Sequence, residues 1–85
     1  MNEGKLREDR ANGQKAELLL KNEILINAFV ELEKQYLEII KNSEIADVEV
    51  RENAYKLMRS LQLLQRHLET VVSTGKIALH QLDEG

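Results

Sequence analysis

The residues able to carry acid–base, nucleophilic or metal chemistry are few and scattered. His67 and His80 stand 13 positions apart, and neither completes a Glu-x-x-His pattern that would hold a metal between helices. His67 falls beside an apolar seam and reads as a boundary residue capping it. Ser43, Ser60 and Ser73 occupy a loop or a helix without the strained elbow that activates a nucleophile. Cysteine is absent, which excludes a thiolate nucleophile, a disulfide framework and a thiolate zinc site. Glu31, Glu33, Glu38, Glu44 and Glu49 gather toward one end of the fold and read as a solvated acidic face. The glycines are isolated and follow no strand, so no phosphate-cradling loop is formed. These residues predict a protein that is not an enzyme and holds no metal or cofactor.

Basic residues supply the remaining chemistry. Lys56, Arg59 and Arg66 recur at steps of three and seven and so share one helical stripe, with Arg51 nearby; these four are the candidates for contact with a DNA backbone. Lys5, Arg7, Arg10 and Lys15 are interrupted by Glu3, Glu8, Asp9 and Glu17. Residues 1–21 carry five basic and four acidic side chains (+1), residues 22–46 two and five (−3), and residues 47–85 five and six (−1), for a total of −3. One copy therefore has little attraction for phosphate. In a ring of many copies, four cations per subunit become a belt around double-stranded DNA, so the DNA reading depends on self-association.

Helices must position these groups. Hydrophobic residues make up 42% of the chain and charged residues 32%, with no Pro and no Trp, a usage that favours helix over sheet or disorder. Val50, Ala54, Leu57, Leu61, Leu64, Leu68 and Val71 follow at steps of four and three, the coiled-coil repeat of a stripe facing a partner helix. Asp47 suits an N-cap and Gly75 a C-terminal stop, giving a helix over about 48–74. Leu18, Leu25, Phe29, Leu32, Tyr36 and Ile39 carry the same repeat, with Asn22 at the intervening seam position, and predict a first arm over about 14–41. The alternative breaks this arm at Asn22, with a short helix over 14–21 and a longer one from 23. The short connection after Asn42 makes the arms antiparallel. The expected fold is thus all-α: an antiparallel helical hairpin at 14–75, preceded by a mobile polar leader at 1–13 and followed by a tail at 76–85.

A hairpin of 85 residues has a marginal core, and association with identical copies is the common remedy. Leu57, Leu61, Leu64 and Leu68 would hold the hairpin. Among the apolar residues left off its seam, Val30, Leu37, Met58 and Leu63 are the candidates for contacts between subunits in an oligomeric helical assembly. The first fifteen residues are too polar for a signal peptide, and no apolar run approaches the ~18 residues of a membrane helix, which predicts a cytoplasmic chain with no membrane partner.

The order of residues also carries a resemblance. Leu19-Leu20-Lys21-Asn22-Glu23, Ala28-Phe29, Leu32-Glu33 and Tyr36-Leu37, then Asp47, Arg51-Glu52, Tyr55, His67-Leu68, Val71-Val72 and Gly75-Lys76-Ile77-Ala78, resemble a family of small helical proteins of tailed bacteriophages and prophages, encoded near DNA-packaging and head genes. The resemblance covers about residues 16–80. This chain departs from it in having Glu23 where Pro is frequent and Ile39 or Ile40 where an aromatic tends to stand, while Tyr55 keeps an aromatic where Trp is frequent. The resemblance implies a small terminase subunit-like role in the cytoplasm of a bacterial host: an oligomer that binds DNA, the large terminase subunit, or both. An adaptor that binds a head protein or a host protein through its exposed apolar stripe is the alternative.

Overall fold

A computed structural model describes residues 2–84 as an all-α chain of three helices, α1 (Glu3–Leu20), α2 (Glu23–Asn42) and α3 (Val48–Glu84). The two-helix antiparallel hairpin is therefore replaced by a three-helix fold. The chain divides into two compact units: the segment ending at Asn22 together with that beginning at Arg66, and Glu23–Gln65.

The largest departure lies at the N-terminus, where the expected leader is helix from Glu3 onward. Met1, the first residue of that leader, lies outside the described residues, as does Gly85 of the expected tail. Asn2 caps α1, its Oδ1 accepting from the Lys5 N–H at 3.1 Å. The mixed charges that read as a solvated leader are spaced for a helix: Glu3 pairs with Arg7 at 3.5 Å and Lys5 with Asp9 at 3.1 Å, both i,i+4. Such exposed pairs add little to stability. Packing supplies the rest, since Leu6, Gly13, Ala16 and Leu20 recur on one side of α1 and are buried or half-buried.

That side meets the end of α3. Gly13 and Gly75 lie at the crossing, where the backbones approach so closely that a Cβ on Gly13 would stand 2.8 Å from the Gly75 Cα and 3.2 Å from the Val71 carbonyl oxygen. A Cβ on Gly75 would stand 2.7 Å from the Gly13 Cα and 2.9 Å from the Asp9 carbonyl oxygen. Ala16 and Ala78, each three residues beyond its glycine, are also buried. Gly75 consequently does not end the helix. No glycine among the described residues has a positive φ, and α3 runs on to Glu84, taking in the expected tail.

In the second unit α2 packs on the first half of α3, with Phe29 and Ala54 buried between them. The first arm is interrupted at Lys21 and Asn22, where the Lys21 N–H closes α1 on Glu17 and Leu18 and the Asn22 N–H bonds Leu19. On α2, Leu25, Phe29, Glu33, Tyr36 and Ile40 face inward; on α3, Arg51, Ala54, Met58, Leu61, Gln62 and Gln65 do. The seam expected from the repeat is thus rotated: Val50, Leu57 and Leu64 stay about half exposed and do not hold the hairpin. A repeat marks an apolar stripe, whereas the arc that is covered depends on where the neighbouring helix lies.

The Gly13–Gly75 crossing yields a sign reversal. Helix propensity favours Gly→Ala by about 1 kcal/mol, but here the new methyl meets backbone that cannot swing aside. Gly13→Ala and Gly75→Ala are each expected to lower stability, by about 1–3 kcal/mol as other overpacked contacts do, read as a drop in the urea midpoint. A gain in either variant would contradict the close crossing.

Candidate interaction surfaces

The connection between α2 and α3 is held by a dense set of hydrogen bonds. The Ser43 hydroxyl donates to the Ile40 carbonyl at 2.8 Å, and Asp47 accepts the Glu44 N–H on its carboxylate at 3.2 Å while donating its own N–H to the Glu44 carbonyl at 2.9 Å. Arg51, one turn into α3, then reaches back. Its guanidinium donates to the Ser43 hydroxyl at 3.2 Å, to the Glu44 carbonyl at 2.5 Å and to the Ile45 carbonyl at 3.0 Å. The fork of fixed donors suits this task, since it satisfies carbonyls that neither helix can use. The loop so held presents Ile45 at 93% exposure.

Of the four candidate DNA contacts, Arg51 is therefore engaged in the loop. Lys56, Arg59 and Arg66 are exposed on a side of α3 away from the residues that pack on α2, and Arg59 donates to Gln62 Oε1 at 2.6 Å. Sequence reasoning separated Arg51 from the other three only by distance, without its loop role. The signal for that role was present in the spacing, with an N-capping Asp47 and an Arg four residues later, behind a five-residue connection.

The four candidate subunit contacts do not form one surface. Val30 and Leu37 lie exposed together on one flank of α2, beside a shallow groove that Glu33, Lys34, Glu38 and Lys41 also line. Met58 is half-buried within the α2–α3 packing, and Leu63 is exposed on the outer side of α3 near Lys56 and Arg59. Between α2 and α3 on the Val30 side, Gln62 Nε2 donates to Glu33 Oε1 at 3.3 Å, which makes that edge polar.

The first unit has a groove of about 470 Å³ alongside the glycine crossing, bordered by Arg10, Glu17 and Lys76 and floored by Val72 and Leu79. Glu17 is held below the ordinary carboxylate range by its hydrogen bond to Lys21 at 3.1 Å, then by the charges of Lys21 and Lys76. Lys5 is raised by its hydrogen bond to Asp9, then by the charges of Asp9 and Glu8. Neither pairing was anticipated: Lys5 and Asp9 lie in the segment read as a leader, whereas Glu17 and Lys21 lie in the expected first arm, where their i,i+4 spacing is legible.

The groups weighed for catalysis are dispersed. Ser60 donates to the Lys56 carbonyl of its own helix at 2.9 Å, His80 pairs with Glu84 at 2.9 Å near the end of α3, and His67 is exposed rather than a cap on a covered seam. Among the described residues, no three His, Asp or Glu side chains are grouped to hold a metal ion, and no helix is long and apolar enough to cross a membrane. Comparison with known proteins finds no matching family model, curated protein or solved structure.

Two tests follow from these contacts. Arg51→Ala is expected to destabilise the chain by about 1–2 kcal/mol, the scale of charge-assisted hydrogen bonds at a half-buried site, with faster proteolysis within residues 43–47; unchanged resistance would remove the latch. Glu17, with its native pKa lowered, contributes stability that is present above its ordinary pKa of about 4.5 and lost as pH falls through the lower native value. Lys5, raised above 10.5, contributes below that value and loses its share as pH rises through the native one. Glu17→Gln should flatten the acid limb of a stability–pH curve and leave the alkaline limb alone.

Proposed function

We propose that this chain acts by association and not by catalysis, as a homo-oligomeric accessory protein of phage DNA packaging that resembles small terminase subunits and contacts DNA, the large packaging subunit, or both. One observation carries the associative part. Among the described residues, sixteen large hydrophobic side chains are exposed, while the buried hydrophobic residues are Ala16, Phe29, Ala54 and Ala78. A monomer rarely leaves so much apolar surface in water without a use for it. The packaging role comes from the resemblance over residues 16–80, and Lys56, Arg59 and Arg66 are the residues that would meet phosphate.

A second reading is favoured by the engagement of Arg51 in the loop and by the net charge of −3. Both weaken an electrostatic footprint for DNA and leave the apolar surface as the means of recognition. In that reading the chain is an adaptor for a head protein or a host protein.

DNA retention as a function of salt separates the two. A packaging protein should bind duplex DNA with an affinity that falls steeply with salt, and the Arg59→Ala/Arg66→Ala variant should bind more weakly and with a flatter slope, by about one contact per residue removed. Absence of DNA binding by the wild-type oligomer would favour the adaptor. Identical salt slopes for variant and wild type would take the arginine stripe out of the interaction.

A further inference from the structure

The α2–α3 unit has two edges of opposite character. One is marked by the Glu33–Gln62 hydrogen bond, with Lys34, Glu38 and Lys41 beside Val30 and Leu37. On the other, Ala28, Leu32, Gln35 and Ile39 follow at steps of four, three and four along α2. Val50, Asn53, Leu57, Ser60 and Leu64 do the same along α3 at alternating steps of three and four. Helical periodicity puts both rows on the side away from the Glu33–Gln62 contact. Leu32, Ile39, Val50, Leu57 and Leu64 are between 37% and 52% exposed, too much for a core and too regular for scattered surface residues.

Charge is missing from this face. Residues 23–65 hold eight acidic and five basic side chains, yet none falls in either row.

We infer that this face docks the same face of a second copy of the chain, so that two hairpins enclose a four-helix core with Leu32, Ile39, Val50, Leu57 and Leu64 inside it. Identity of the occupant follows from charge. The unit carries a net −3, so two copies can meet only where neither presents its acids, and a partner of different sequence would ordinarily be selected by opposite charge at the contact. Gln35 and Asn53 each both donate and accept hydrogen bonds, and Ser60, whose O–H is given to the Lys56 carbonyl, still accepts, which lets like meet like across a two-fold axis. Such an isologous contact closes at two copies, so any larger assembly built on it contains an even number. The inference rests on the associative reading above and specifies which surface is buried and by what.

The test is the absolute mass of the full-length chain by light scattering after size exclusion, from low to high micromolar concentration, with far-UV circular dichroism on each variant. Wild type should give an even multiple of the chain mass. Leu57→Glu/Leu64→Glu should halve it without loss of helicity, whereas Val30→Glu/Leu37→Glu on the opposite edge should leave it unchanged. Ile39→Lys, a single change on the other helix, should raise the dissociation constant at least tenfold and serves if the double variant loses its helicity. An odd multiple, or wild-type mass retained in both Leu57→Glu/Leu64→Glu and Ile39→Lys, overturns the assignment. An oligomer broken only by Val30→Glu/Leu37→Glu overturns this face while leaving association intact. A single-chain mass throughout overturns both.

Discussion

Two helices lying side by side touch along one line, and a side chain away from that line has nothing from the pair to cover it. That constraint governs each unit of this chain, and the two meet it differently. In the first, the line is built from the smallest residues: Gly13 against Gly75, with Ala16 and Ala78 one step on. Backbones then approach closely, and dispersion between main chains replaces the interlocking of large side chains. In the second, Phe29 and Ala54 fill the line, and larger apolar residues are displaced to the flanks. Each arrangement covers little beyond that line, which is why Phe29 is the largest buried side chain among the described residues.

Polar contacts in such a structure set local geometry more than stability. The i,i+4 pairs on α1 and the His80–Glu84 contact are exposed and contribute little. Arg51 differs because its partners are fixed loop groups, including two backbone carbonyls. It turns a short connection into a defined link between antiparallel helices, and so fixes the register in which α2 meets α3. The exposed stripe formed by Leu32 and Ile39 on α2 and by Val50, Leu57 and Leu64 on α3 spans both helices, so its continuity depends on how they are paired.

Much of this was legible in the sequence, and what was not has identifiable causes. The apolar repeat on α3 and the short connection before Val48 are read directly from residue types, whereas the break at Asn22 was legible only as the alternative to one continuous arm. The start of α1 was hidden because its residues are charged all round; helix there depends on pairs spaced by four and on a glycine face whose value appears only with its partner. Gly75 illustrates the same ambiguity. Glycine is favoured both where a helix must stop and where two helices must touch, and only the companion Gly13-x-x-Ala16 and Gly75-x-x-Ala78 spacing separates the cases. The seam was misplaced because a repeat read from one helix assumes one partner, whereas α3 is packed by α1 near its end and by α2 near its start.

The same geometry orders the functional steps. Lys56, Arg59 and Arg66 are too few, on a chain with net charge −3, to draw one copy onto DNA against physiological salt. Association through the proposed face would carry no such salt penalty, because neither row holds a charge. On that proposal self-association would precede any electrostatic recognition: pairing the uncharged faces would remove water from Leu57 and Leu64 and leave the basic stripe, on another side of α3, in solvent. Repetition then sums weak cations into a field that a monomer lacks. On this reasoning the apolar face is the condition for DNA contact, and its loss should abolish nucleic-acid binding even with every arginine in place.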